Sequence, residues 1–341
     1  MKPLVTALIN THNHEEYIEQ ALTSVLEQGM SAEELEILVV DDGSEDRTPS
    51  IIHKFAPRVR HVRKRNGGQA SAFNVGFAES RGQIIALLDG DDWWEKRKLE
   101  TVVGTLEEHP EQSGLGHAYF KYFQSTAQTT LCGLENTAVL NLSSAENARA
   151  SLAHWKFLQT SALTIRREVL ARIVPIPEVL VFSADAPVAA AATAMGVRVL
   201  NQPLSHYRIH ANNLYSIGPG AGEKLRRKAE MDDTMYDVLY RELSRLGVSG
   251  ESISALLDER AIEASRFRLH TFGGRRLKTF KTEMRAFRSE FKKPSLRYLL
   301  FKYCVVGTAT LIFSPQLFYE LRDWYAERNL GQLRDQLFKN S

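Results

Sequence analysis

The stretch Ile84-Ile85-Ala86-Leu87-Leu88-Asp89-Gly90-Asp91-Asp92-Trp93-Trp94 decides how this chain is read. An apolar run ends abruptly in a cluster of carboxylates, then two tryptophans. A short apolar run bounded by turn residues reads as a buried strand, so the acids fall where that strand leaves its sheet. Carboxylates this close repel one another unless a cation or a proton neutralises them. A hard divalent ion is one answer, and magnesium or manganese bound by one or two carboxylates typically also holds substrate phosphates. An Asp-rich turn is the other, because Asp and Gly favour turns.

Working outward, the first part of the chain alternates strand and helix signals. Leu4 to Ile9 is a strand candidate. From His14 to Leu26, apolar residues at Tyr17, Ile18, Ala21, Leu22, Val25 and Leu26 have helical spacing. Ile37 to Val40 is a strand ending at Asp41-Asp42-Gly43-Ser44, Thr48 to Phe55 a helix, and Val59 to Val62 a short strand. Gln69 to Ala78 is helical, opened by Gly67-Gly68, and Lys96 to Leu106 is a further helix. Such alternation predicts an α/β domain with a largely parallel sheet. Ligands of open α/β sheets bind beyond the carboxyl ends of the strands. Asn10, Asp42 and Asp89 all fall at such ends, so three polar clusters are expected to converge on one crevice.

The middle is less regular. Leu115 to Phe123 and Ser161 to Ile165 read as strands, and Arg167 to Ile173 as a helix. Asp185 opens a small-residue helix, Ala186 to Met195, with Pro187 in its first turn, where proline is tolerated. Gly196 ends it and Val197 to Leu200 resumes a strand. Gly218-Pro219-Gly220 is a linker signal, which divides the chain into 1–217 and a helix-rich extension, 218–341. That extension carries Arg266, Arg268, Arg275, Arg276, Lys278, Lys281, Arg285, Arg288, Lys292, Lys293, Arg297 and Lys302 against few acids, then an apolar, aromatic stretch from Tyr298 to Trp324.

Composition bounds the function. The 341 residues are 43% hydrophobic and 25% charged with a formal net charge of +2, which is ordinary for a globular protein and argues against a nucleic-acid partner. Cys132 and Cys304 form neither a metal pattern nor a disulfide framework, which fits a reducing, cytoplasmic setting. No apolar run approaches the roughly 20 residues that span a bilayer.

The candidates each admit a plainer role. Asp42 is placed to accept a proton from a uracil or thymine ring nitrogen, or to cap the following turn. Asn66-Gly67-Gly68-Gln69 is neither a P-loop nor a dinucleotide fingerprint, yet glycine there lets backbone approach a ligand. His12 and His14 lack the further ligands zinc requires. Trp93 and Trp94 are either core residues or stack on an acceptor sugar.

Together these residues resemble the inverting GT-A glycosyltransferases of family 2. Asn10-Thr11-His12-Asn13 with Tyr17 is similar to the family's first-strand signature, and Glu36-Ile37-Leu38-Val39-Val40-Asp41-Asp42-Gly43-Ser44 with Asp46 to its base-reading block. Asn66-Gly67-Gly68 and Asn74-Val75-Gly76 resemble the next block, and Asp89-Gly90-Asp91-Asp92 the Asp-x-Asp metal motif. Ala184-Asp185 stands where the family's catalytic acidic pair falls. Tyr207-Arg208-Ile209-His210 with Asn212-Asn213 resembles its closing motif. The chain departs from the family at Asn10, His12, Phe73 and Ala184. The likeness covers roughly residues 1 to 215 and implies the following. The fold is GT-A, with a mixed, mostly parallel sheet. Asn10, His12, Asn13, Asp42, Asn66, Gly68, Asn74, Asp89, Gly90, Arg208 and His210 meet a nucleotide-sugar donor, a UDP-sugar by preference. Asp89, Asp91 and Asp92 hold Mg2+ or Mn2+ on its diphosphate. Asp185 is the general base toward a saccharide or lipid-linked acceptor, and Trp93 and Trp94 touch that acceptor. A non-catalytic binding module and a nucleotidyltransferase are the rival readings; the latter expects a basic glycine-rich loop after the first strand, where Asn10-Thr11-His12-Asn13 has no glycine. For the extension two readings stand open: a basic amphipathic surface on an anionic inner leaflet, or a bundle packed on the catalytic domain or a second copy.

Overall fold

The computed structural model describes residues 3–211, 213, 222–290 and 302–327. Asn212, the Gly218-Pro219-Gly220 linker signal, Lys292, Lys293, Arg297 and Tyr298 lie outside the described residues. The chain divides into two compact units, Met1–Gly218 with Thr234–Leu256, and Pro219–Asp233 with Leu257–Ser341.

The first unit is built on one mixed sheet. Strands β1 (Val5–Thr11), β2 (Leu35–Asp41), β3 (Val59–Arg63) and β4 (Ile84–Asp89) run parallel in the order β3-β2-β1-β4. β9 (Thr164–Arg166) joins antiparallel beside β4, followed by β6 (Gly114–Phe123), β10 (Val197–Ile209) and the two-residue β5 (Trp93–Trp94). β7 (Gln128–Cys132) pairs with β6, and β8 (Ala138–Leu140) with β10. The intervening helices are α1 (Ile18–Leu26), α2 (Thr48–His53), α3 (Gln69–Glu79), α4 (Lys98–Glu108), α5 (Ala145–His154), α6 (Arg167–Ile173) and α7 (Asp185–Met195).

Period-two alternation divides β1 between two layers. Val5, Ala7 and Ile9 join β2 and β4 residues in a core closed by Ile18, Leu22 and Val25 of α1, by Ile51 and Ile52 of α2, and by Leu99, Val102 and Leu106 of α4. Leu8 points to the other face and packs against α3 at Gly76, where an added Cβ would lie 2.5 Å from Leu8 Cδ1. This contact seats α3 so that its N-terminus lies at the carboxyl ends of the strands.

The second unit has its own small core of Leu269, Phe318 and Tyr319, with Val306, Ala309 and Phe313 against it. Its helices include the latter part of α9 (Gly250–Phe272), α10 (Arg276–Glu290), α11 (Gly307–Ile312) and α12 (Pro315–Glu327), preceded across the division by α8 (Gly222–Arg245). Arg266 makes a two-pronged ion pair with Glu283 at 2.9 and 3.0 Å, and the Tyr319 hydroxyl donates to the same carboxylate at 3.1 Å. No helix among the described residues is long and apolar enough to cross a membrane.

Candidate active site

Register sets the floor of the site. Asn10 lies opposite Asp89 of β4 on one side and Val40 of β2 on the other. Neighbours in a ladder share a face, so the Asn10 and Asp89 side chains stand side by side at the strand ends. The Asn10 side chain is 6% exposed, and neither its Oδ1 nor its Nδ2 makes a hydrogen bond. A buried, unpaired amide is costly, and this one stands at the strand ends beside Asp89.

One flank of the crevice is polar loop. His12 Nδ1 lies 3.0 Å from the Asp42 carbonyl and Nε2 3.1 Å from the Asn13 amide nitrogen. The ring is therefore satisfied as the Nδ1–H tautomer. Asn66 Nδ2 is 3.3 Å from the same ring. Asn13 adopts φ 55°, a left-handed conformation that Asn tolerates. Its N–H donates to Ser44 Oγ at 2.9 Å and its Oδ1 accepts from Glu45 N–H at 2.8 Å. The Asp42 carboxylate accepts from Gly67 N–H (3.0 Å), Gly68 N–H (2.7 Å) and Lys64 Nζ (2.6 Å). Gly68 has φ 84°, and a Cβ there would fall 2.7 Å from Val181 Cα and 2.8 Å from Val181 O. Both requirements exclude a side chain. Gly68→Ala is therefore expected to destabilise the fold by about 1–3 kcal/mol, read as a lower urea midpoint with unchanged slope.

The other flank is acidic, and a single turn at Thr160–Ala162 organises it. Asp185 Oδ2 accepts from Thr160 N–H at 3.0 Å and from its hydroxyl at 3.3 Å. Gln69, first residue of α3, reaches Asp89 Oδ1 and Thr160 Oγ1 with its Nε2, each at 3.5 Å, and accepts from Ala184 N–H at 2.9 Å. Ser161 accepts from Asp89 N–H at 3.2 Å and donates to Asp92 Oδ2 at 2.6 Å, while its carbonyl accepts from the buried Lys98 Nζ at 2.8 Å. Asp89, Asp92 and Asp185 thus converge through Thr160, Ser161 and Gln69.

Burial and mutual repulsion govern their protonation. Burial lifts the Asp89 carboxyl well above its ordinary range, and the charges of Asp91 and Asp185 lift it further. Asp92 is lifted well above by burial and by Asp91 and Asp89. Burial also raises Asp185, against the hydrogen bonds from Thr160. Asp91 is the exception. Burial alone would raise it too, but His14 and His210 outweigh that and hold it below the usual range. His210 Nε2 is 3.1 Å and His14 Nε2 3.9 Å from Asp91 Oδ2, and Asn213 Nδ2 is 3.5 Å from the same oxygen.

Carboxylates pushed this far toward neutrality suit a cation that would let them ionise. Among the described residues no three His, Cys, Asp or Glu side chains form a ready-made metal cage.

Several expected contacts have other occupations. Both Asp92 oxygens are taken, one by Ser161 and the other by Arg208 N–H at 2.8 Å, and the residue is 1% exposed. It therefore braces the turn, and both its oxygens are already engaged where a metal contact was expected. Arg208 Nε donates to the Asp91 carbonyl at 2.8 Å, and its guanidinium lies 4.9 Å from the Tyr17 ring and 4.6 Å from the Trp93 ring. It rivets β10 to the acidic turn, where the resemblance implied a contact with the nucleotide-sugar donor. Asn74 is spent on the backbone of Ile176, donating to its carbonyl and accepting from its N–H, both at 2.8 Å. Trp94 is 3% exposed in the core beneath Lys98 Nζ, so the expectation of an acceptor contact gives way to packing. Trp93 is half-buried and stacks on His206 at 4.4 Å. Gly90 has its own steric reason: a Cβ would lie 2.6 Å from Thr11 Oγ1 and 2.9 Å from His14 Nδ1. Thr160, Ser161 and Lys98 carry no sequence signal for this site, and His14 enters it beside Asp91 rather than in a zinc site. Only a proximity that the fold creates marks them out.

The mixed, mostly parallel sheet, with a polar loop on one flank and acids at strand ends on the other, is the architecture of the GT-A glycosyltransferase fold. The sequence profile of glycosyl transferase family 2 matches residues 6–173. An uncharacterized glycosyltransferase of Nostoc sp. is 31% identical over 227 residues, covering 64% of this chain and 69% of the relative. The uncharacterized glycosyltransferase EpsJ of Bacillus subtilis is 29% identical over 254 residues, covering 70% and 71%. The chain belongs to glycosyl transferase family 2 and is a glycosyltransferase. Solved structures agree on the fold. S. aureus TarS 1-349 in complex with UDP-GlcNAc has a TM-score of 0.54 at 18% identity, over 85% of this chain and 88% of that one. The mannosyltransferase PcManGT of Pyrobaculum calidifontis, in complex with GDP-Man and Mn2+, has a TM-score of 0.51 at 17% identity, over 100% and 89%. Family membership sets aside the binding-module and nucleotidyltransferase readings.

Proposed function

We propose that this glycosyltransferase moves a sugar from a nucleoside-diphosphate donor, a UDP-sugar by preference, onto a hydroxyl of a saccharide or lipid-linked acceptor, with inversion at the anomeric carbon. The observation that carries the reading is the meeting of Asp89 and Asp185 through Gln69 and Thr160, with Asp91 on the same turn. Asn10, His12, Asn13, Asp42, Asn66 and Gly68 form the side that takes base and ribose. The unpaired Asn10 amide is the first contact expected there.

Asp91, with Asp89 beside it and His210 against it, is the set that would hold Mg2+ or Mn2+. When bound, that ion neutralises the negative charge that builds on the leaving diphosphate. Asp185 takes the proton from the attacking acceptor hydroxyl as that oxygen bonds to the anomeric carbon. Its raised affinity for a proton suits that task, and Thr160 fixes the carboxylate's orientation. A single displacement from the face opposite the leaving group gives inversion. Asp92 and Arg208 keep the acidic turn and β10 together rather than touching the reactants. The structures of TarS with UDP-GlcNAc and of PcManGT with GDP-Man and Mn2+ support a nucleotide donor and a divalent ion for a fold of this kind.

A thermal-shift series with UDP, GDP and their sugars, each with and without Mn2+, tests the donor. Ligands of the folded state raise its apparent stability, by about 2.7 kcal/mol at a concentration 100 times the dissociation constant. A metal-dependent rise with one nucleotide family is expected. No rise with any of them would end the proposal.

A further inference from the structure

We propose that the second unit docks on an anionic lipid surface through the outer face of α10 and the exposed apolar ends of α11 and α12. Between Arg275 and Ala286 the exposed residues are Arg275, Arg276, Leu277, Lys278, Lys281 and Arg285, with no exposed acid among them. Glu283, the one carboxylate of that stretch, is turned inward and buried against Arg266 and Tyr319. Its burial leaves the outer face of the helix cationic. Arg285 pairs with Asp258 and Arg276 reaches the Leu311 carbonyl, while Arg275, Leu277, Lys278 and Lys281 are exposed.

An apolar edge adjoins this row. Leu277 on α10 is 56% exposed, and Leu311 and Ile312 at the end of α11 are 47% and 58% exposed. Arg276 Nη1 lies 3.5 Å from the Leu311 carbonyl, and Gly307 packs under the Phe280 ring. Cationic row and apolar edge are therefore parts of one surface. On α12, Leu317 and Leu321 are also exposed and lie one helical turn apart. On α10 and α11, large aliphatic tips beside lysine and arginine are the composition of a helix surface that rests at a lipid interface, while on α12 the exposed Glu320 lies beside Leu321. A basic residue near an anionic leaflet contributes about 1 kcal/mol, and a cationic helix face with aliphatic tips makes an interfacial contact. A second copy is the less suitable occupant. A two-fold interface sets the same patch against itself, which would oppose one cationic row to another. The inference rests on the proposed reaction only in its consequence, that a lipid-linked acceptor would be presented at the same surface.

The test is vesicle flotation of the full chain, with phosphatidylcholine alone and with phosphatidylcholine doped with phosphatidylglycerol. The wild type is expected to float with the anionic vesicles only and to be released by salt. Leu311→Asp with Ile312→Asp, and separately Lys278→Glu with Lys281→Glu, are each expected to weaken that binding by more than about tenfold. Both pairs should keep the wild-type circular dichroism and the wild-type thermal response to UDP and Mn2+. The charge pair keeps the test alive if the apolar pair misfolds. Failure of the wild type to float, equal flotation with neutral vesicles, or undiminished flotation of a folded variant would overturn the proposal. So would sedimentation showing a wild-type dimer that the Leu311 and Ile312 substitutions dissolve. Donor binding is read separately, so the lipid inference can fail while the transferase reading stands.

Discussion

Asp185→Asn is expected to lower sugar transfer by about 10²–10⁴-fold, the range attributed to a positioned general base, while nucleotide binding stays near the wild-type level. The amide has the shape of the carboxylate and can still meet Thr160, so the fold should hold, but it cannot accept a proton. Transfer kinetics and UDP titration, measured on the same preparation, separate the two effects. Equal loss of both would assign Asp185 to donor binding. Its protonation gives a second handle. Burial raises Asp185 above the ordinary carboxylate range, and the base works only when ionised. The acid limb of kcat/KM should therefore lie above the usual Asp range, with activity rising as pH rises through it. Thr160→Val removes the hydroxyl donor that favours the charged form and leaves the backbone N–H in place. That limb should then move to still higher pH. A purely structural role for Thr160 would lower the whole profile without shifting it.

Asp91→Asn carries the other large effect. Nucleotide binding should lose its dependence on Mn2+, with metal affinity in the presence of UDP reduced by more than about 100-fold. That figure is the upper end of what removal of a mere supporting partner costs. Mn2+ titration followed by electron paramagnetic resonance measures it directly. Asp92→Asn provides the contrast. Its carboxylate is committed to Ser161 and to the Arg208 backbone, so the variant should lose stability, by about 1–3 kcal/mol for the disrupted buried hydrogen bonds. Its affinity for the ion should survive better. Should Asp92→Asn abolish metal binding as thoroughly as Asp91→Asn, the division of labour within the acidic turn would be wrong.

The parallel half of the sheet is legible in the sequence. The strands at Val5, Leu35, Val59 and Ile84 announce themselves as short aliphatic runs, and every helix between them has its apolar stripe. Parallel pairing then brings their polar ends together, which is why Asn10, Asp42 and Asp89 fall in one crevice. The carboxyl-terminal half of the site was harder. Val197 to Leu200 reads as a short strand because Asn201, Gln202 and Pro203 break the alternation. The actual strand continues to Ile209, with irregular register on either side of Pro203, where a proline's missing N–H is tolerated. β5, β7 and β8 are too short or too polar to stand out. Ser161 to Ile165 reads as one strand, yet Ser161 and Ala162 belong with Thr160 to a tight turn, in which Thr160 donates to Asp185 and Ser161 to Asp92. Lys98, in the helix expected over Lys96 to Leu106, is fully buried. These roles depend on which segments meet, and a local pattern does not encode that.

The long β10 strand sets a lower bound on any excised catalytic fragment. Residues 6–173 carry the family profile, but β6 also pairs along β10, from Val197 to Ile209. A polypeptide stopped at Ile173 would leave one long side of β6 without a ladder partner, and it would lack Asp185, Arg208 and His210. Open sheet margins invite intermolecular pairing. Such a fragment should precipitate or assemble into inclusion bodies on expression, whereas one extended past His210 completes its hydrogen-bonded seam.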